Sequence, residues 1–370
     1  MLFSLRGSML KYFEEIPIIR SIATLFIVCV HLSVSYTNSE NNHNMTILAG
    51  YLSQIGRLGT PVFAVISAFL LTHSVLKRGF DLNYFAKSRF TKIFVPYIIW
   101  TTVYLYYLGV VEVNLDSNKN FISYYLFGTG NYHLYFILTV LQFYILFPFL
   151  QKIKKGIPLL LTYLLFTFIT ILWQLNYEHI SIDIPVIGTF ITSRAFILNW
   201  ISYFILGIIF AKYYEEINSL IKKYIKLFLP AIVVVFISFL LFIDLDHFVT
   251  SSHPAFLLYT PFFLIFLIYF YFLIRKNKLL MKTLTLIGNY SMGIYLVHPL
   301  VKWLVLKISI FDNRDSILLY SLSYIIIVGL SVLVIHLLIK IPNGNYIVPV
   351  PRKPKLKSNP TQYFRSKPSS

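Results

Sequence analysis

The sequence predicts an all-α membrane protein, a polytopic bundle of about ten transmembrane helices with both termini in the cytoplasm. Hydrophobic residues make up 57% of the 370 residues and charged residues 12%, whereas soluble domains carry about 25% charged residues. The apolar residues form ten long stretches, and Lys and Arg cluster between alternate pairs of them. This pattern excludes most soluble enzymes, secreted disulfide-rich domains and disordered chains.

The ten predicted spans follow from the length of the apolar stretches, since a helix needs about 20 mostly apolar residues to cross the hydrocarbon layer. They lie near residues 16–36, 58–76, 93–111, 132–150, 157–175, 196–211, 227–243, 254–274, 284–306 and 316–339. The span at 196–211 is the shortest of them.

The distribution of Lys and Arg predicts the orientation. If the N-terminus is cytoplasmic, 25 of the 32 Lys and Arg residues fall on inside segments and five on outside segments. Basic residues accumulate on the cytoplasmic side of membrane proteins, so the alternation supports an even number of crossings. The same pattern explains the net charge of +18 without nucleic-acid binding, because the basic residues flank spans.

Three regions are predicted: a cytoplasmic N-terminal segment at 1–15, a transmembrane domain at 16–340, and a basic tail at 341–370. The tail is rich in Pro, Lys and Ser and poor in apolar residues, which is typical of a disordered cytoplasmic segment. Its basic residues suit contact with anionic membrane lipids. No metal is expected, because Cys29 is the single cysteine and the histidines of the outside loops show no clear ligand spacing.

The first span carries two ionisable residues, Arg20 and His31, which are costly in a membrane and often functional. His31 follows Arg20 by eleven positions, so on a helix they share one stripe about 16 Å apart along the axis. Arg20 is predicted near the cytosol and His31 in the outer half. The alternative is that Arg20 extends to the headgroups and His31 is a hydrogen-bonded packing residue.

A second polar stripe lies on the ninth span, where Ser291, Tyr295 and His298 follow at i, i+4 and i+7 and share a face. His298 is predicted at a depth close to that of His31, so the two histidines are candidates to line one cavity. Pro299 frees a backbone carbonyl and favours a bend. An interfacial histidine beside a kink is the alternative.

Four further candidates lie at the ends or within other spans. His133 opens the fourth span and is a candidate for substrate binding, or an ordinary residue of the aromatic belt. Ser67 lies in a stretch of small residues that more often serves helix packing than chemistry. Arg89 and Lys92 are three residues apart and form either a phosphate clamp or a solvated cytoplasmic cluster.

Taken together, these motifs resemble the membrane acyltransferase-3 family. Arg20, ten intervening residues and His31 match its first-helix signature. Residues 61–71 are similar to its second-helix Phe-Phe-x-x-Ser-Gly-Phe pattern, and 89–97 to its Arg-x-x-Arg-x-x-x-Pro entry to the third helix. Residues 133–137 resemble its His-Leu-Trp-Phe stretch, and 291–298 its late Ser-x-x-Ile-Tyr-Leu-x-His block. The likeness extends over roughly residues 15–340.

The sequence departs from the family pattern at four positions. Lys92 replaces the second Arg and loses forked recognition of a phosphate. Ala64 and Ala68 stand in place of Phe and Gly, and Tyr135 in place of Trp. These departures affect donor contacts and packing.

The resemblance implies transfer of an acyl group, often acetyl or succinyl, from cytosolic acyl-CoA to a hydroxyl of a cell-surface glycan or its lipid-linked precursor. Acetyl-CoA is the first candidate donor. Arg20, Arg89 and Lys92 are then candidates to hold the CoA phosphates, and His31 to act as general base. A transient acyl-histidine is the less favoured alternative.

Tyr295, Ser67 or His298 are candidate donors to the oxyanion. Separate envelope-biosynthesis proteins are possible partners. A composition rich in Ile, Phe, Lys and Asn is typical of an AT-rich bacterial genome, so the predicted location is a bacterial plasma membrane. The alternative function is a transporter that exports a polysaccharide or small metabolite, since ten spans with buried polar groups suit it too.

Overall fold

The computed structural model describes residues 13–37, 42–112, 115–116, 119–180 and 185–351, and these residues form helices and connections without a β-strand. The first half of the chain forms α1 (Glu15–Ser33), α2 (His43–Gly56), α3 (Gly59–Arg78), α4 (Leu82–Arg89), α5 (Val95–Tyr106), α6 (Phe121–Phe127), α7 (Tyr135–Leu150) and α8 (Ile157–Asn176). The second half forms α9 (Pro185–Ile191), α10 (Ile201–Lys212), α11 (Tyr214–Phe242), α12 (Ala255–Ile274), α13 (Lys278–Leu306), α14 (Ser309–Asp312) and α15 (Ile317–Leu338). The all-α prediction is confirmed.

Each of the ten predicted spans coincides with a helix, and seven continuous helical stretches are long and apolar enough to cross a membrane. These seven are Glu15–Ser33, His43–Arg78, Leu82–Val111, Ile157–Asn176, Tyr214–Phe242, Ala255–Ile274 and Ile317–Leu338. The other three spans correspond to α7 and α10, which have 16 and 12 residues, and to α13, which is long enough but more polar. The chain is therefore a multi-pass membrane protein, whereas ten crossings and cytoplasmic termini stay predictions.

The helix α1 lies at the centre of the bundle and packs against α2, α3, α12, α13 and α15. Its contact with α13 is the most extensive in the molecule, and it depends on a residue without a side chain. A Cβ at Gly288 would lie 1.8 Å from the Pro17 carbonyl oxygen. At Gly207 of α10 a Cβ would lie 2.2 Å from the Val65 carbonyl oxygen of α3. Small residues thus let backbones approach closely, as at membrane helix crossings generally.

Local sequence explains where several helices begin and end. The side chains of Asn42, Asn277 and Ser316 accept hydrogen bonds from backbone N–H groups in the first turns of α2, α13 and α15. Gly79 ends α3 with φ of 78°, a left-handed conformation that glycine adopts without strain. These caps fix the connections on both sides of the bundle.

Candidate active site

A polar cavity of about 350 Å³ lies at the end of the bundle that the sequence predicts to be outside. Its walls come from the second half of α1, the starts of α3 and α7, the second half of α13, and the connections around residues 57, 194 and 250–252. Of the predicted site residues, His31, His133 and Tyr295 line it. Its volume is at the lower end of the roughly 300–1,000 Å³ typical of small-molecule sites.

His31 is the half-buried residue that α1 presents to this cavity. Its ring centre lies 4.5 Å from that of Tyr132 and 5.4 Å from that of His298, with which it stacks at an interplanar angle of 26°. The imidazole is therefore held between an aromatic ring at the start of α7 and a second imidazole on α13. This arrangement orients the ring by packing.

His133 completes a cluster of three histidines. It is only 1% exposed, and its ring centre lies 5.6 Å from that of His298 and 5.1 Å from that of Tyr295. Neither ring nitrogen has a hydrogen-bond partner among the described residues. Buried polar atoms normally have partners, so this unsatisfied imidazole is an exception beside the cavity. The Tyr295 hydroxyl donates to the His133 carbonyl oxygen and ties α13 to the start of α7.

His298 owes its orientation to Pro299. Proline lacks the N–H that would bond the Tyr295 carbonyl in a regular helix, and His298 Nδ1 contacts that carbonyl at 3.0 Å and the Ile294 carbonyl at 2.9 Å. A carbonyl oxygen only accepts hydrogen bonds, so Nδ1 carries the proton. Nε2 keeps its lone pair and has no partner among the described residues.

The two polar stripes predicted on α1 and α13 face each other. Arg20 Nε donates to Ser291 Oγ at 3.0 Å, and about three turns further along α1 His31 stacks on His298. Ser291 and His298 are both fully buried. The sequence placed each stripe on one helix face, and the packing of α1 against α13 brings these faces together.

Six of the predicted site residues do not line the cavity: Ser291 and His298, described above, and Arg20, Ser67, Arg89 and Lys92. Arg20 lies about three turns of α1 away from His31, and Ser67 is half-buried on α3. Arg89 lies with its guanidinium carbon 5.4 Å from the ring centre of Tyr144. Lys92 is exposed in a π-helical segment at Phe90–Phe94. Arg89 and Lys92 are thus at the opposite end of the bundle from the cavity, where the topology prediction puts the cytosol.

The π-helical segment has a cause in the sequence. Pro96 has no N–H to bond the carbonyl four residues before it, and the Val95 N–H instead bonds the Phe90 carbonyl, five residues back. Such π-bulges are frequent at functional sites. The segment changes the helical register directly after Arg89.

Three basic residues of the cavity were not predicted: Arg57, Arg194 and Lys302. Lys302 Nζ donates to the His31 carbonyl oxygen at 3.1 Å and lies 5.2 Å from the ring centre of Tyr132. Its position four residues after His298 was a usable signal, because i and i+4 share a helix face. Arg57 and Arg194 are on outside connections, where only the tertiary structure shows what they face.

A second cavity of about 320 Å³ lies at the other end of the bundle. It is formed by the start of α1, the first turns of α11 and the end of α12, with Lys222 and Arg275 among its lining residues. None of the predicted site residues lines it. Within the described parts of the chain, no group of three or more His, Cys, Asp or Glu side chains is arranged to hold a metal ion.

The chemistry available in the outer cavity is that of acid–base catalysis near positive charge. Unpartnered imidazole nitrogens accept a proton from a hydroxyl, and neighbouring cations stabilise negative charge that develops during attack on a carbonyl. The fold and this site define a polytopic membrane protein with a histidine-lined polar cavity at one end.

The chain belongs to the acyltransferase-3 family, whose acyltransferase domain matches residues 13–336. The resemblance drawn from the sequence motifs is thereby confirmed. The chain is 25% identical over 325 residues to a protein of Staphylococcus aureus strain N315 named "Probable poly-beta-1,6-N-acetyl-D-glucosamine export protein", covering 86% of this chain and 90% of that protein. It is 28% identical over 330 residues to a protein of the same name from Staphylococcus epidermidis, covering 86% and 89%. No solved structure is significantly similar to the chain.

Proposed function

We propose that this protein is a membrane O-acyltransferase of a bacterial plasma membrane, which transfers an acyl group from cytosolic acyl-CoA to a hydroxyl of a cell-envelope glycan or its lipid-linked precursor. The single observation that carries the proposal is the His31 imidazole, which faces a polar cavity beside His133 and His298. Family membership supports the reaction class, and the printed names of the relatives support a polysaccharide as acceptor.

In the proposed reaction His31 acts as general base. A neutral ring nitrogen takes the proton of the acceptor hydroxyl while the hydroxyl oxygen attacks the thioester carbonyl. The tetrahedral intermediate then collapses with cleavage of the carbon–sulfur bond, and the CoA thiolate receives the proton from the imidazolium. An acyl group carried transiently by His31 is the alternative, in which the glycan attacks in a second step.

The acyl donor is proposed to approach from the opposite end of the bundle. CoA is a polyanion confined to the cytosol, so Arg89 and Lys92 suit its phosphates. Arg20 lies between that end and His31, and its guanidinium is fixed by Ser291. Arg89 and Lys92 lie at the opposite end of the bundle from the cavity, so with the phosphates held there only the acyl end of the CoA arm would reach His31. Acetyl-CoA is the first donor to test and succinyl-CoA the second.

The test is transfer by the full-length protein in lipid nanodiscs, with radiolabelled acetyl-CoA or succinyl-CoA as donor and oligomers of β-1,6-linked N-acetylglucosamine as acceptor. His31→Ala is expected to lower the rate by roughly 10²–10⁴-fold, the usual contribution of a general base. His336→Ala is the matched control, because His336 contacts Tyr290 and does not line the cavity. Full transfer by His31→Ala protein at normal abundance would refute the mechanism.

Export of a polysaccharide is the second candidate, favoured by the printed names of the relatives. Cells that carry or lack the gene distinguish the two functions when the amount of surface glycan and its ester content are measured separately. An exporter changes the amount, whereas an acyltransferase changes the esters on each chain. A change in the amount of surface glycan without a change in its ester content would replace the acyltransferase proposal with export.

A further inference from the structure

The outer cavity is strongly basic. Its lining contains Arg57, Arg194 and Lys302, and among the residues that the structure describes no Asp or Glu lines it. Arg57 and Arg194 are close enough to repel each other electrostatically. A concentration of like charge without compensation is costly in a largely desolvated site, so the cavity has a charge that an incoming molecule would neutralise.

Among the cations of the cavity, Arg57 has hydrogen-bonding capacity left for a ligand. The Lys302 ammonium donates to the His31 carbonyl and to Ser35 Oγ and lies over the face of Tyr132, so it would contribute chiefly its charge. Arg57 Nε is buried without a hydrogen-bond partner among the described residues. The ion pairs found in the described ranges are Lys155–Glu216, His247–Asp244, Lys307–Glu112 and Arg314–Asp312, so none of them involves a cation of the cavity.

Neutral donors complete the lining. Thr250, Ser251 and Ser252 lie on the connection between α11 and α12 and face the same space, and the last two are at most 9% exposed. Hydroxyl groups suit sugar hydroxyls and anion oxygens alike. Guanidinium groups add planar, forked recognition of carboxylates and phosphates. Together these groups resemble a binding site for a polar molecule with one anionic end.

We infer that the outer cavity selects a substrate that carries an anionic oxygen group, a carboxylate or a phosphate, held by Arg57 and Lys302 with Arg194 at the exposed side. This inference rests on the proposed function and names the substrate class of the same site. The anion has two possible sources: an acyl group that ends in a free carboxylate, or an acidic substituent on the acceptor glycan. Either source places the charge beside His31, where the new ester bond forms.

Binding to the purified full-length protein in nanodiscs tests the inference without acyl transfer. Isothermal titration compares succinate with its neutral dimethyl ester, and glucose 1-phosphate with glucose. We expect the charged member of at least one pair to bind at least ten-fold more tightly, which is the effect of one or more charge-assisted hydrogen bonds. Preference within the succinate pair assigns the anion to the acyl group, and preference within the glucose pair assigns it to the acceptor.

Substitutions of the cavity cations test whether the charged probe binds in the outer cavity. The double variant Arg57→Gln/Arg194→Gln is expected to weaken the charged probe by ten-fold or more. Lys119→Gln/Lys307→Gln is the matched control: it removes two positive charges from outside segments but none from the cavity. Arg57→Lys keeps the charge without the fork and is expected to be intermediate, which separates recognition from misfolding.

Two results would overturn the inference: equal binding of charged and neutral probes, or equal loss in the double variant and its control. The His31→Ala protein keeps all three cations, so it is expected to bind the charged probe as the unaltered protein does. If the unaltered protein binds the charged probe selectively but transfers no acyl group, the proposed function is refuted and anion selection stands.

Discussion

Replacing Gly288 with Ala tests the close contact of α1 with α13 that places His31 beside His298. A Cβ at this position would lie 1.8 Å from the Pro17 carbonyl oxygen, whereas ordinary contact begins at 3.4 Å. The obstructing atoms belong to the backbone, so no side-chain rotation relieves the clash. Because the helix interface is close-packed, α1 and α13 must separate locally by roughly 1.5 Å.

Gly288→Ala is expected to lower the stability slightly and the transfer activity strongly. Overpacking costs about 1–3 kcal/mol, and Ala in place of Gly in a helix returns about 1 kcal/mol. The Arg20–Ser291 hydrogen bond of 3.0 Å lies three residues further along α13 and would break. A misplacement of about 1 Å between catalytic groups lowers a rate by about 10²-fold. We therefore expect a small fall in thermal stability and at least a ten-fold loss of acyl transfer.

Gly329→Ala is the matched control, since Gly329 also lies within a helix and a Cβ there would meet no atom within 4 Å. This variant is expected to keep full transfer and to gain slightly in stability. The assay measures transfer from labelled acetyl-CoA in nanodiscs, with unfolding followed by intrinsic fluorescence in detergent. If Gly288→Ala behaves as Gly329→Ala does in both measurements, the described contact of α1 with α13 is wrong.

Three further predictions concern single groups of the site. Tyr295→Phe removes the donor to the His133 carbonyl and is expected to lower the free energy of unfolding by about 1–3 kcal/mol; an unchanged urea midpoint would contradict this. His298→Asn retains a donor for the freed carbonyl but removes the ring on which His31 stacks, so transfer is expected to fall by roughly 10²-fold with little loss of stability, and transfer at the normal rate would show that this stacking does not position His31. Arg89→Gln is expected to raise the KM for acyl-CoA about ten-fold at unchanged kcat. Arg78 is an exposed arginine at the same end of the bundle, and Arg78→Gln is expected to leave the KM unchanged. Equal KM values of the two variants in steady-state kinetics would exclude Arg89 from the donor site.

The sequence predicted the helical spans well because lipid imposes a simple rule. A spanning helix must be long and apolar, so its position can be read from composition alone. The ten predicted spans all coincide with helices. The rule says little of short helices such as α2, which lies in a predicted outside connection and packs against α1.

The candidate site was predicted in part. His31 and His298 were found because an ionisable group in an apolar stretch is unusual, and their helix faces follow from the helical period. Arg57 and Arg194 could not be found in this way, because a cation in a connection is ordinary in itself. Lys302 shares the face of His298, yet a basic residue near a helix end equally suits the headgroup region.

By itself, the sequence determined that this chain is a helical membrane protein with two polar stripes, since lipid solvation and the helical period act on each segment separately. The tertiary structure alone decided that the two stripes meet and that three cations from distant segments surround one cavity. The physical reason is that helix contacts depend on the shapes of two surfaces at once. The contact of Gly288 with Pro17 is an example, because neither residue indicates from the sequence that it packs against the other.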